Sequence, residues 1–259
     1  MAGRRSGRTA GPESERLTKA QRKEEARRQR LEIQRRMVRT RRTRWIALAV
    51  AVLVVAAGAT YYALRPRPKV QDPQQLLAAA PQAAKAAGCT EVRDVGPYQP
   101  EASDRVHIGV QGGAATMPPL STYPSVPPAS GPHNSTPWSR GVYSTPPPID
   151  QVIHSLEHGA AVVWYSPDVS GDELAKIENF YRDPTHGEKV IVAPYDYPDQ
   201  GAEGTLSGGS AMALVAWHHV ESCSRVSLAA AFGFTASYGI PPFGSQRYLG
   251  DAPEPQTPI

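Results

Sequence analysis

D-Q-V-I-H-S-L-E-H-G-A-A-V-V-W-Y-S, residues 150–166, changes from helical spacing of its apolar residues to an apolar strand pattern within one continuous stretch. Asp150 suits a helix N-cap and Gly159 a helix stop, so a helix of about two turns runs directly into a strand at 160–166. At about 100° per residue, Val152, Ile153 and Leu156 share one face, while His154, Glu157 and His158 fall within an arc of about 100° on the opposite face. Two imidazoles one turn apart, with a carboxylate between them, make half of a metal site.

Working outward, strand patterns recur at 104–110, 189–195 and 210–219. Helical patterns occur at 74–87, stopped by Gly88, at 171–182 and at 227–238. The order, roughly β–β–α–β–β–α, predicts an α+β fold with one small mixed sheet covered by helices, within an exported domain spanning 74–240. Residues 118–148 carry ten prolines together with Tyr123, Trp138 and Tyr143, which excludes helix and central strand and predicts a long loop. The proline-rich residues 241–259 are expected to be extended or disordered.

His133 lies in that loop, and a loop folded back over the polar face of the 150–159 helix makes it a third ligand beside His154 and His158. Three histidines point to zinc or copper, and Met117 favours copper as a soft axial ligand. Glu157 then orients a ligand from outside the coordination sphere or accepts a proton. H-x-x-E-H is also the spacing of inverted zinc metalloproteases, but here the helix is too short, meets a strand at once, and lacks a downstream glutamate in a long helix. His218 and His219 are adjacent in a predicted strand and so face opposite sides. His107 lies in another strand and could pack, and His186 sits in a turn.

Trp45–Leu64 (W-I-A-L-A-V-A-V-L-V-V-A-A-G-A-T-Y-Y-A-L) contains no charge and is long enough, at roughly 30 Å as a helix, to span a bilayer core. Residues 1–44 hold 16 Lys and Arg against 5 Asp and Glu, a net +11, so the chain's formal +4 leaves −7 on residues 45–259. Positive flanks stay in the cytoplasm, which predicts a single transmembrane helix at 45–64, a cytoplasmic tail at 1–44 and about 195 residues outside the cell membrane, joined by a linker at 65–73. Cleavage as a signal peptide at Ala57-Gly58-Ala59 is the rival, set against a charged leader longer than a usual n-region. The tail reads as a basic helix held on anionic lipid headgroups. It lacks the aromatic and base-reading residues that nucleic-acid binding would add. Cys89 and Cys223, both on the exported side, are read most simply as a disulfide, with free thiols or a shared metal ligand as the alternatives, and the absence of C-x-x-C argues against a redox enzyme.

P-P-A-S-G-P-H-N (127–134), G-V-Y (141–143), H-S-L-E-H-G (154–159) with its following strand, and A-A-G-C (86–89) together resemble domain-of-unknown-function family 3105, over about Ala79 to Val220. The resemblance implies bacterial, often membrane-anchored proteins of unestablished role, and offers no catalytic residue to carry over. Its motif residues here are His133, Tyr143, His154, Glu157, His158 and Gly159. Three functions follow as expectations: a membrane-anchored extracytoplasmic domain binding copper or zinc through the histidines, a non-enzymatic cell-envelope interaction module that docks a protein partner on the proline loop and whose histidines only fix that loop, and a metal-dependent hydrolase.

Overall fold

The computed structural model describes residues 19–64, 71–110 and 115–259. Residues 1–18 of the basic tail, expected to be helical, and most of the 65–73 linker lie outside them. The chain forms two compact units, Met1–Arg67 and Pro68–Ile259.

In the first unit a single helix, α1 (Lys19–Leu64), runs unbroken from the basic segment through the apolar one. It is long and apolar enough to cross a membrane, with a mean hydropathy of 1.8 over its most apolar window. Leu48, Val52, Leu53 and Val55 are exposed along it.

The second unit is α+β, built on a mixed six-stranded sheet. In chain order its elements are α2 (Pro73–Ala86), β1 (Arg93–Asp94), β2 (Gly141–Val142), α3 (Ile149–Glu157), β3 (Ala161–Tyr165), α4 (Asp172–Tyr181), β4 (Val190–Pro194), β5 (Met212–Ala216), β6 (His219–Cys223) and α5 (Leu228–Tyr238). The strand order is β1-β6-β5-β3-β4-β2. The β2–β4 and β3–β4 pairs are parallel, and β3–β5, β5–β6 and β1–β6 are antiparallel.

All five residues of β3 are buried, as a central strand covered on both faces requires. Ala161, Val163 and Tyr165 pack with Leu174, Ile177, Phe180 and Phe232 from α4 and α5, and with Leu76 of α2. Val162 and Trp164, on the other face, pack with Val152, Ile153 and Leu156 of α3 and with Leu120, Tyr123 and Ala129 of the proline segment. That segment is therefore half of a core: residues 127–133 are buried throughout. A disulfide joins Cys89 to Cys223, closing the segment between them where residue 89 bridges the end of β6.

Three expectations are corrected. Residues 104–110 form turns with one isolated bridge, His107 to His133, because the chain here serves as a partner to the proline segment and never joins the sheet. The 210–219 run breaks at His218, whose φ of 60° reverses the chain into β6. His218 and His219 therefore converge, and both reach Asp251. The helix at α3 starts at Ile149 with Pro148 as N-cap, so Asp150 sits in its first turn, where a carboxylate suits the dipole. The segment expected to be extended after residue 240 lies against the domain, with Ala252 buried and Pro255 against Gly159.

Candidate functional site

Helix α3 is buried on both faces. Its apolar side enters the sheet's core, while Ser155, His154, Glu157 and His158 are covered by the 105–108 turn, the 131–134 turn and the carboxy-terminal segment. Gly159, at φ +83°, ends the helix. A Cβ there would meet Ile240 Cβ at 3.0 Å and Pro255 Cα at 3.4 Å, so only glycine lets the tail lie this close.

Three imidazoles are oriented in the same way. Nδ1 of His133 lies 2.7 Å from Gly131 O, that of His154 lies 2.6 Å from Asn134 O, and that of His158 lies 2.8 Å from Pro258 O. A carbonyl can only accept, so each Nδ1 carries a proton, and in the neutral ring each Nε2 presents a lone pair inward. His133 Nε2 then faces Glu157 Oε2 at 3.0 Å, and His154 Nε2 faces His158 Nε2 at 2.9 Å. Neutral rings leave both contacts without a hydrogen between two acceptors, an arrangement that a cation resolves.

His107 completes the cluster. Its ring stacks on His154 with centroids 4.8 Å apart and planes 6° off parallel, and its buried Nε2 has no hydrogen-bond partner among the described residues. Glu157 is divided in role. Arg105 Nε donates to Oε1 at 2.5 Å, which leaves Oε2 toward His133 and, at 3.9 Å, toward His107. Burial opposes ionisation of Glu157, but its contact with His133 and the hydrogen bond from Arg105 outweigh it and hold the carboxyl well below the usual range. Burial likewise pushes His154 down to about 4, and His107 down as well, so both stay neutral at neutral pH.

The donor atoms of His107, His133, His154 and Glu157 all lie within 4.8 Å of one another, a group able to hold a metal ion. His158 stands just outside it, beside His154 and 3.6 Å from Glu254. Tyr143 lies at the sheet edge, its hydroxyl donating to Ser139 O, and Met117 packs half-buried on the α3-side core. Neither is among the converging donors. Sequence reasoning missed Arg105, Glu254 and the ligand geometry of His107; the strand-like alternation at 104–110 hid the first and third.

A second network holds this site's floor. Asp104, 4 % exposed, accepts from Tyr98 N (2.6 Å), Ser130 Oγ (2.6 Å) and His218 Nε2 (2.8 Å), and its carbonyl accepts from Gly131 N (3.0 Å). It thereby fixes the turn whose carbonyl orients His133. Burial lowers the affinity of His218 for a proton, but hydrogen bonds to Asp104 and Asp251 win and raise it to about 9. Because this folded value exceeds that of an unfolded histidine, the stabilisation is full below about pH 6.5 and is lost as pH rises through about 9. After discounting for solvent around Asp251, the loss is about 1–2 kcal/mol. The difference in unfolding free energy between wild type and His218→Gln should shrink across that window. A constant difference would show that the pair carries no charge.

A family model described as "Protein of unknown function (DUF3105)" matches residues 120–247, a span containing His133, His154, Glu157 and His158. No curated protein and no solved structure matches the chain.

Proposed function

Residues 120–247 belong to a family of proteins of unknown function, DUF3105, and from that premise we propose that this domain binds one divalent transition-metal ion, zinc in preference to copper. The observation that carries the reading is the pair of close contacts, His133 Nε2 to Glu157 Oε2 at 3.0 Å and His154 Nε2 to His158 Nε2 at 2.9 Å, which set acceptor against acceptor when the rings are neutral, in rings whose Nδ1 atoms are tied to backbone carbonyls. Backbone-anchored Nδ1–H groups are the usual outer support of ligating imidazoles.

His107, His133, His154 and Glu157 supply three nitrogens and one oxygen, a set that suits zinc or copper(II) and lacks the sulfur that selects copper(I). Donors about 2.0–2.1 Å from a tetrahedral zinc stand about 3.4 Å apart, so small inward movements of groups now within 4.8 Å are enough. Four protein donors fill a tetrahedral sphere, which favours holding the ion over hydrolysis with it. The burial of the proline segment counts against its use as a docking surface.

In this reading α1 anchors the domain as a single-pass helix, with its basic end on anionic cytoplasmic headgroups and the metal site outside. Metal content of the full-length protein, measured by plasma mass spectrometry after equilibrium dialysis against zinc, should give one ion per chain. The His107→Ala/His154→Ala variant should retain none. A wild type that leaves dialysis metal-free would overturn the proposal.

A further inference from the structure

On the opposite face of the sheet, a groove of about 270 Å³ opens between α2 and α5. Its walls are mostly apolar, with Leu77, Ala84 and Val92 on one side and Phe234 and Tyr238 on the other, the last two stacked with centroids 4.6 Å apart; Ser237 and Gln246 also line it. The two helices are drawn together at Gly233, where a Cβ would stand 2.5 Å from Ala80 Cβ. Into this groove β6 places Glu221, only 7 % exposed. Among the described residues its carboxyl has no hydrogen-bond partner and no cation beside it.

A nearly buried acid is ordinarily paired, because an unmet carboxyl loses much of its hydration; the Glu221 oxygens keep an opening onto the groove. Here burial alone raises the Glu221 carboxyl to about 7, with no neighbour offsetting it. The nearby sulfurs of Cys89 and Cys223 offer no thiolate to a metal, since they are bonded to each other. What the groove lacks is a positive hydrogen-bond donor attached to something apolar.

We infer that this groove is a binding site for a small primary amine with a short hydrocarbon body, its ammonium donating to the Glu221 carboxylate and its chain lying against Leu77, Ala84, Phe234 and Tyr238. An ammonium supplies both charge and donors, and such charge-assisted bonds are roughly twice as strong as neutral ones. Aromatic walls add attraction for the cation and cover for the chain. An alcohol of the same length fills the walls but leaves the carboxylate uncompensated, and a carboxylic acid is repelled by it.

The site is independent of the histidine cluster. The test titrates n-hexylamine and n-hexanol, by calorimetry at about pH 8 where the amine is cationic, into full-length protein in lipid nanodiscs, with protein-free nanodiscs subtracted. Hexylamine should bind at least about tenfold more tightly than hexanol, and Glu221→Gln should bring the two to the same affinity. Ala84→Phe, which fills the groove from α2 without touching Glu221, should weaken both. Equal affinities in wild type, an amine preference that survives Glu221→Gln, or no binding of either compound at millimolar concentration would overturn the inference. Binding that persists in His107→Ala/His154→Ala is expected and separates this result from any failure of the metal reading.

Discussion

Glu157→Ala should cost the metal-free domain about 3 kcal/mol, the low end of the range found when one member of a buried ion pair is removed, because the Arg105 partner is half exposed. The residue is 2 % exposed and is met by Arg105 at 2.5 Å and His133 at 3.0 Å. Deleting its carboxylate leaves the Arg105 guanidinium with Glu254 alone and leaves His133 facing a void. Glu157→Gln keeps volume and one acceptor, so it should lose less stability while still losing a charged metal donor. Two readouts separate these roles. Tryptophan fluorescence in denaturant gives the stability of the Pro68–Ile259 unit without metal. The rise in melting temperature on adding zinc gives the metal contribution, about 2.7 kcal/mol in wild type at a hundredfold excess over Kd. In Glu157→Gln that rise should largely disappear. An Ala variant as stable as wild type would mean that solvent, and not burial, sets the strength of the Arg105 pair.

Much of the scaffold could be read from local pattern. Asp150–Gly159 and the following apolar run carry both periods in sequence, and β3 emerges where expected because five buried residues in a row demand cover on both faces. The helices α2, α4 and α5 were similarly plain, each with an N-terminal cap or acidic first turn. Failures have a common cause: elements whose conformation is imposed from elsewhere. D-R-V-H-I-G-V alternates like a strand, yet its long-range backbone pairing is with the 131–133 turn, through Gly131 N to Asp104 O, Ile108 N to His133 O and His133 N to Val106 O. The hairpin at 217–218 turns on a histidine with positive φ, held there by Asp104 and Asp251, which are remote in sequence. No local signal marks such a turn when glycine is absent.

The site shows the same division. His154, Glu157 and His158 share a helix and were visible as a group, and His133 needed only a loop folding back. Arg105 and Glu254 are 149 residues apart, yet they meet at 2.6 Å beside Glu157. Sequence spacing carries no information on a contact of that range. The carbonyls that set the imidazole tautomers, from Gly131, Asn134 and Pro258, belong to backbone that no side-chain motif describes.

Lys189→Met should have the second largest effect, and it acts on the site from beneath. Lys189 Nζ donates to His158 O at 2.8 Å, Pro255 O at 2.9 Å and Thr257 O at 2.7 Å, so one ammonium ties the end of α3 to the carboxy-terminal segment. Burial pushes this lysine's proton affinity down, with Glu188 only partly opposing. Methionine keeps the stem's packing but leaves carbonyls without donors, each costing about 1–3 kcal/mol if it stays buried. The cheaper response is release of the segment, whose other ties are Glu254 N to Glu157 O, Arg105 to Glu254, and His158 Nδ1 to Pro258 O. Amide exchange at Glu254 and Thr257 should accelerate on the order of 100-fold, the equivalent of about 2.7 kcal/mol of lost local stability, while amides in β3 remain protected. His158 would then lose the carbonyl that fixes its tautomer, and zinc captured by a chelator should leave faster than from wild type. Unchanged protection at Glu254 would show that Arg105 and the Gly159 contact hold the segment without the lysine.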